Sequence, residues 1–165
     1  MPILLKGSCR CGCVRFEVES NTPAPYQLCY CSICRKQQGG GGFAINLGAN
    51  FPTMTVSGEP EVTVFRAEIL NDEGTHCKTS SGERNFCRQC GSALWLYDPN
   101  WPELVHPFAS AIDTPLPVPP QRTHLMLKYK ASWVEPCVSP GDLTFDLYPK
   151  ESIADWHKRM GMWVD

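Results

Sequence analysis

Ser8-Cys9-Arg10-Cys11-Gly12 and Phe86-Cys87-Arg88-Gln89-Cys90-Gly91 are the two stretches on which the fold turns. Each sets two thiols close together beside a glycine, and 76 positions separate Cys11 from Cys87. A structural zinc ion takes four protein ligands at tetrahedral angles, and thiolate pairs at this spacing suit it. Gly12 and Gly91 supply the backbone freedom that such tight turns demand. Cys9, Cys11, Cys87 and Cys90 are therefore read as one closed zinc site joining two distant segments. Four incidental cysteines are the plainer alternative, and two tight pairs argue against it. A redox role for Cys87-x-x-Cys90 would want a helix next, whereas Ala93-Leu94-Trp95-Leu96-Tyr97 has the composition of a strand.

Outward from these motifs the chain reads as short strands and turns. Val14 to Glu19 alternates apolar and charged residues at period two, and Asn21 to Pro25 breaks it. A further strand runs into Cys29, and Ser32 to Gln38 makes one or two helical turns ended by Gly39 to Gly42. Short β-like runs follow at Phe43 to Leu47, Thr53 to Val56, Val62 to Phe65 and Ala93 to Tyr97. Later ones are Thr123 to Lys128 and Leu143 to Tyr148. Pro115 to Pro120 crosses the surface, and Ser152 caps a helix over Ile153 to Met160. The expectation is one domain over 1–165, mainly β, built of several small antiparallel sheets with short helices and a C-terminal helix. Its motif-bearing core spans about 5–135, with the last strand and helix within 140–162.

Composition narrows the function classes. At 165 residues, with 42% hydrophobic and 19% charged, the chain can bury a core without disulfides. A formal charge of -2 argues against nucleic acid or an anionic membrane as partner. No apolar run approaches the roughly 18 residues that cross a bilayer, and the start does not resemble a signal peptide. The expected compartment is a reducing cytoplasm. There, ten cysteines crowded as Cys9-x-Cys11 and Cys29-x-Cys31 suit metal better than disulfide bridges. Cys13, Cys77 and Cys137 fall outside the two clusters and are expected to be buried apolar groups.

Cys29-x-Cys31-x-x-Cys34 packs three thiols into six residues. Three protein ligands with a vacancy is the arrangement of a catalytic zinc, whose free position takes water or substrate. A thiol arriving there loses its proton, and the metal's charge favours developing negative oxygen. Two other readings stay open: closure by a fourth ligand, such as Cys77 or a histidine, or reactive thiols without metal. Gly39 to Gly42 reads as a tight turn that lets backbone approach this metal rather than a phosphate cradle.

These motifs resemble one family. Gly7-x-Cys9-x-Cys11-Gly12-x-Val14-x-Phe16 resembles its first signature, and Cys29-x-Cys31-x-x-Cys34-Arg35 its second. Gly82-x-Arg84-x-Phe86-Cys87-x-x-Cys90-Gly91-Ser92-x-Leu94 resembles the third. Asp113-x-Pro115, His124 and Ser132-Trp133 follow in order. The family is that of glutathione-dependent formaldehyde-activating enzymes, which includes centromere protein V and has the Mss4-like fold. The resemblance implies a structural zinc on Cys9, Cys11, Cys87 and Cys90 and a second zinc near Cys29, Cys31 and Cys34. It implies a carbon–sulfur lyase-type activity joining glutathione to formaldehyde as S-hydroxymethylglutathione. A different carbonyl or secondary-metabolite substrate is the alternative, as is a non-catalytic zinc-stabilised binding module.

Small thiol and aldehyde molecules are then the expected partners, with a homodimer allowed for. Within that reading Arg35, Lys36 and Arg84 would meet glutathione's carboxylates, and His124 would be an acid–base group facing the pocket. Tyr30 stands where the family usually has histidine. Trp95, Trp101 and Trp133 are expected in the core or at its rim.

Overall fold

A computed structural model describes residues 1–38 and 40–165. Gly39, part of the expected glycine turn, lies outside the described residues. In chain order the strands are β1 (Ile3–Ser8), β2 (Arg15–Ser20), β3 (Gln27–Cys29), β4 (Ala44–Ile45) and β5 (Ala49–Asn50). Next come β6 (Thr55–Ser57), β7 (Val62–Phe65), β8 (Glu68–Leu70), β9 (His76–Thr79) and β10 (Glu83–Cys87). The last are β11 (Ala93–Tyr97), β12 (Leu104–Pro107), β13 (Thr123–Leu125) and β14 (Leu143–Thr144). The helices are α1 (Ser32–Gln38) and α2 (Ile153–Arg159), so the architecture is mainly β, as the sequence implies.

Two sheets face one another over the main core. One has the order β1-β2-β6 and the other β5-β12-β11-β10-β7. Alternation in β2 sends Phe16, Val18 and Ser20 inward while Arg15 and Glu19 face water. Phe16 meets Trp95 of β11 edge-on, with ring centroids 5.2 Å apart. Gly7 of β1 has no side chain because the Phe16 ring occupies that space. Leu5, Val14, Leu47, Leu94 and Val105 complete this core.

A third sheet, β14-β13-β3-β4, carries Cys29 at the end of β3, with Cys31 and Cys34 in the segment that follows. It is mixed: β13 runs parallel to both β3 and β14, while β4 is antiparallel to β3. The remaining pair, β8-β9, is a two-stranded hairpin at the surface.

The C-terminal helix is the element that best obeys local rules. Ser152 caps α2 by accepting from the Asp155 N–H, as the sequence predicts. Its buried face carries Trp156, stacked on Tyr26 at 3.8 Å between centroids. Beside it His157 accepts from the Ala24 N–H at 2.9 Å and binds the Ile153 carbonyl at 2.8 Å. Those two bonds require a neutral imidazole with its proton on Nδ1.

Three expectations on single residues are corrected. Cys13, Cys77 and Cys137 are exposed rather than buried. Cys13 sits in the turn between β1 and β2, Cys77 on the exposed hairpin and Cys137 in the loop before β14, where Val14 and Val134 rather than the cysteines take the buried positions of the turn and the loop. Trp95 is buried, but Trp101 and Trp133 stand out from the surface. Gly42 makes its close approach to Val134, on the Tyr30 side of the third sheet, and not to the thiols of Cys29, Cys31 and Cys34. No described helix is long and apolar enough to cross a membrane.

Candidate functional site

The four-cysteine group forms where two hairpin ends meet. In each, a glycine N–H donates back to the carbonyl of the first cysteine: Gly12 to Cys9 at 3.1 Å and Gly91 to Cys87 at 2.8 Å. Both glycines have positive φ, 81° and 76°, the left-handed conformation that such turns need. The sulfurs of Cys9, Cys11, Cys87 and Cys90 all lie within 4.8 Å of one another. Cys9 to Cys11 is 3.5 Å and Cys11 to Cys87 is 3.8 Å. Zinc–sulfur bonds of ~2.3 Å at tetrahedral angles set sulfurs about 3.8 Å apart, so the donor set fits zinc. Backbone N–H from Val14 donates to Cys9 Sγ, and the Ser92 hydroxyl lies 3.2 Å from Cys90 Sγ. That hydroxyl is the chief reason the Cys90 thiol falls to about 5. A strand, β11, follows Cys90, which disfavours the redox reading.

The three-cysteine group is local. β3 delivers Cys29, and α1 starts immediately after Cys31. Cys31 Sγ accepts the Cys34 N–H at 3.3 Å, so one candidate ligand also caps the helix that supplies another. All three cysteines are buried, and their sulfurs lie within 4.8 Å of each other. Among the described residues no fourth cysteine, histidine or carboxylate joins them. Cys77, weighed above as a fourth ligand, is out on the surface hairpin. Hydrogen bonds from Cys29 and then Cys34 hold the Cys31 thiol far below its ordinary range, and Cys29 is pushed up by the same sharing.

Two arginines border this group. Arg84 on β10 points Nη2 at Cys34 Sγ, 3.8 Å away. Its Nη1 is buried without a partner, as is Nε of Arg35 on α1. Arg35 and Lys36 also line a groove of about 600 Å³ with Ile33, Phe65, Arg66 and Leu70. A groove of that size suits a small ligand. Thus Arg35 and Lys36 lie on a groove, and Arg84 lies against Cys34.

His124 is the candidate that the structure does not bring to the cluster. In the parallel register Leu125 pairs with Cys29 and His124 with Leu28, so His124 shares the face of Leu28 and Tyr30. The expectation that it faces the metal pocket is corrected on that ground. It is fully buried, bonded to the Tyr30 hydroxyl at 2.9 Å through Nδ1 and to Asp142 at 3.3 Å through Nε2. Tyr30 therefore serves the back of the sheet, not the thiols.

Asp142 and Tyr148 were not among the sequence candidates. Partial burial, and then the charge of Cys29, Cys31 and Cys34, push the Tyr148 hydroxyl up to about 12. Tyr148 itself stands largely exposed in the loop after β14.

Known proteins agree with the motifs. The family described as glutathione-dependent formaldehyde-activating enzyme matches residues 4–128. A Halomonas elongata protein provisionally named as such an enzyme is 56% identical over 160 residues, covering 97% of this chain and 98% of its own length. A solved Rhodobacter sphaeroides protein shares the fold, with a TM-score of 0.50 and 23% identity over 85% of this chain and 98% of that one. By its motifs, its matched span and this near-full-length relative, the chain belongs to the glutathione-dependent formaldehyde-activating enzyme family.

Proposed function

We propose that this chain is a zinc-dependent carbon–sulfur lyase-type enzyme that joins glutathione to formaldehyde as S-hydroxymethylglutathione. The observation that carries the reading is the three-thiol group, one ligand short of a closed site and beside a groove of about 600 Å³. Cys29, Cys31 and Cys34 would hold the zinc, and their sulfur spacing fits it. Bound there, zinc supplies a Lewis acid and keeps an incoming thiol ionised at neutral pH.

The rest of the reading belongs to the chain's own side chains. Arg35 and Lys36, which line the groove, would take the peptide's carboxylates, Arg35 as a bidentate partner. Ile33, Phe65 and Leu70 give the groove an apolar wall against which the substrate's apolar parts would rest. His124, with Tyr30 and Asp142, would stiffen β3 and β13 from behind rather than touch substrate. A reducing cytoplasm suits ten free thiols.

That apolar wall also favours a second reading in which the carbonyl partner is larger than formaldehyde. Phe65 is 41% exposed and Leu70 53% exposed, which leaves surface for such a substrate to cover. Turnover by the zinc-loaded protein should be compared across formaldehyde and larger aldehydes, each with glutathione. Formaldehyde is expected to be fastest. Cys31→Ala should lose at least about 1,000-fold in activity while retaining the fold. Full activity in a variant shown to lack the second zinc would sink the mechanism.

A further inference from the structure

Along β12, Val105 and Pro107 are buried on the core side, while Leu104 and His106 alternate onto the other face. There they line a cavity of about 350 Å³, walled also by Ile153 of α2 and by Trp101 and Trp163. Small-molecule sites begin at about this size, roughly 300 Å³. No cysteine is among its described lining residues, so it is separate from both thiol groups. The Trp163 wall is held in place: its indole N–H donates to Asp165 at 2.7 Å, and Asn21 Nδ2 donates to the Val164 carbonyl at 2.6 Å. Trp101 stands exposed at the mouth.

His106 gives this apolar space a polar handle. Its Nδ1 lies 3.0 Å from the Leu47 carbonyl, which can only accept, so the ring proton sits on Nδ1. Burial keeps the imidazole below the ordinary histidine range, and Nε2 carries a bare lone pair at neutral pH. That nitrogen has no partner among the described residues and is not sealed from solvent, so it opens into the cavity that the ring lines. Nearby hydroxyls are already engaged as donors, Thr22 with the Gly48 carbonyl and Ser152 with Asp155. The described lining holds no carboxylate, lysine or arginine, so an anion would shed its water without a charged partner. Lys158 Nζ lies 4.8 Å from the centre of the Trp163 ring, and a cation would meet that like charge.

We propose that this cavity binds a small neutral aromatic molecule carrying one N–H or O–H donor, its ring resting on Trp101 and Trp163 and its donor bonded to His106 Nε2. Indole surface suits ring stacking, and a wall already fixed lowers the cost of ordering. A ring without the donor would cover Nε2 and leave it unpaired, which is the source of selectivity. The site is independent of the addition chemistry proposed above.

The test is calorimetric titration of the full zinc-loaded chain with indole and with 1-methylindole, which differ at the N–H. Indole should bind once per chain, and 1-methylindole about 10-fold more weakly. His106→Leu should weaken indole to the level of 1-methylindole while leaving 1-methylindole unchanged. Trp101→Ala, at an exposed position, should weaken both by about 10-fold. Equal affinity for the two ligands on the unaltered chain would overturn the proposal, and this comparison stands even if His106→Leu does not fold. Indole binding untouched by Trp101→Ala would place the ligand elsewhere and overturn it too, as would no binding of indole at all. Sedimentation supplies the last arm: a dimer that Trp101→Ala dissociates would make the cavity a seat for a second copy instead.

Discussion

The two cysteine clusters set the same donor atom in contrasting surroundings. Cys9, Cys11, Cys87 and Cys90 draw on two hairpins far apart in sequence, and half of them are exposed. Cys29, Cys31 and Cys34 come from one short segment and are all buried. The exposed cluster is complete in ligands, so water at its surface finds no vacant position. The buried cluster is incomplete, and protein rather than a ligand excludes the solvent. Ligand count and sequence separation, rather than burial, are what distinguish the two groups under the function proposed.

The largest effect that would sharpen this contrast is on folding. A structural zinc contributes on the order of 10 kcal/mol, as much as a whole domain's stability. Cys87→Ser, at a fully buried sulfur, should yield little folded protein, measured as loss of the cooperative thermal transition. Cys34→Ser should instead fold, retain one zinc per chain and keep its melting temperature within a few degrees, roughly the range of an ordinary substitution. If both variants unfold alike, the division of labour between the clusters is wrong.

A middle-sized effect separates the clusters from the rest of the molecule by pH. Burial holds the folded His157 below the ordinary histidine range, and His106 moves the same way for the same reason. Both stay neutral when folded, so their contribution is complete above about pH 6.5 and is lost as pH falls below it. Protonating His157 would also break its bond from Ala24. His157→Gln should flatten part of the acid limb of thermal stability at constant zinc content. The smallest effect is Ser152→Ala, which removes one cap and should cost about 1 kcal/mol in denaturant unfolding without changing either metal site.

Legibility followed how local each feature is. α1, β7 and β11 lie where composition and turn residues put them, because neighbours in sequence decide those elements. The zinc-type clusters were legible for a related reason, since each knuckle holds its own pair of thiols. β1 was missed because Leu4 is exposed and Gly7 has no side chain, which spoils the visible alternation. β8 and β9 carry little or no buried surface, so no hydrophobic pattern announces them. The strand expected over Thr123 to Lys128 ends at Leu125, where Met126 takes φ 59° and turns the chain. The face of His124 was out of reach, because it depends on a parallel register with residues 96 positions earlier. Arg84 was visible as a motif residue, but its partner Cys34 lies 50 positions away.

That parallel register also sets a timetable for synthesis. The chain leaves the ribosome from its N-terminus, and Cys9 and Cys11 can find Cys87 and Cys90 once the first hairpins are out. β3 must wait for β13, and β13 for β14 at Leu143–Thr144. The sheet beneath Cys29 is thus finished only when most of the chain has been made. A nascent chain can bring its four distant cysteines together before Cys29, Cys31 and Cys34 have a floor to rest on, and a product truncated before Leu143 would carry those three thiols on an unfinished sheet.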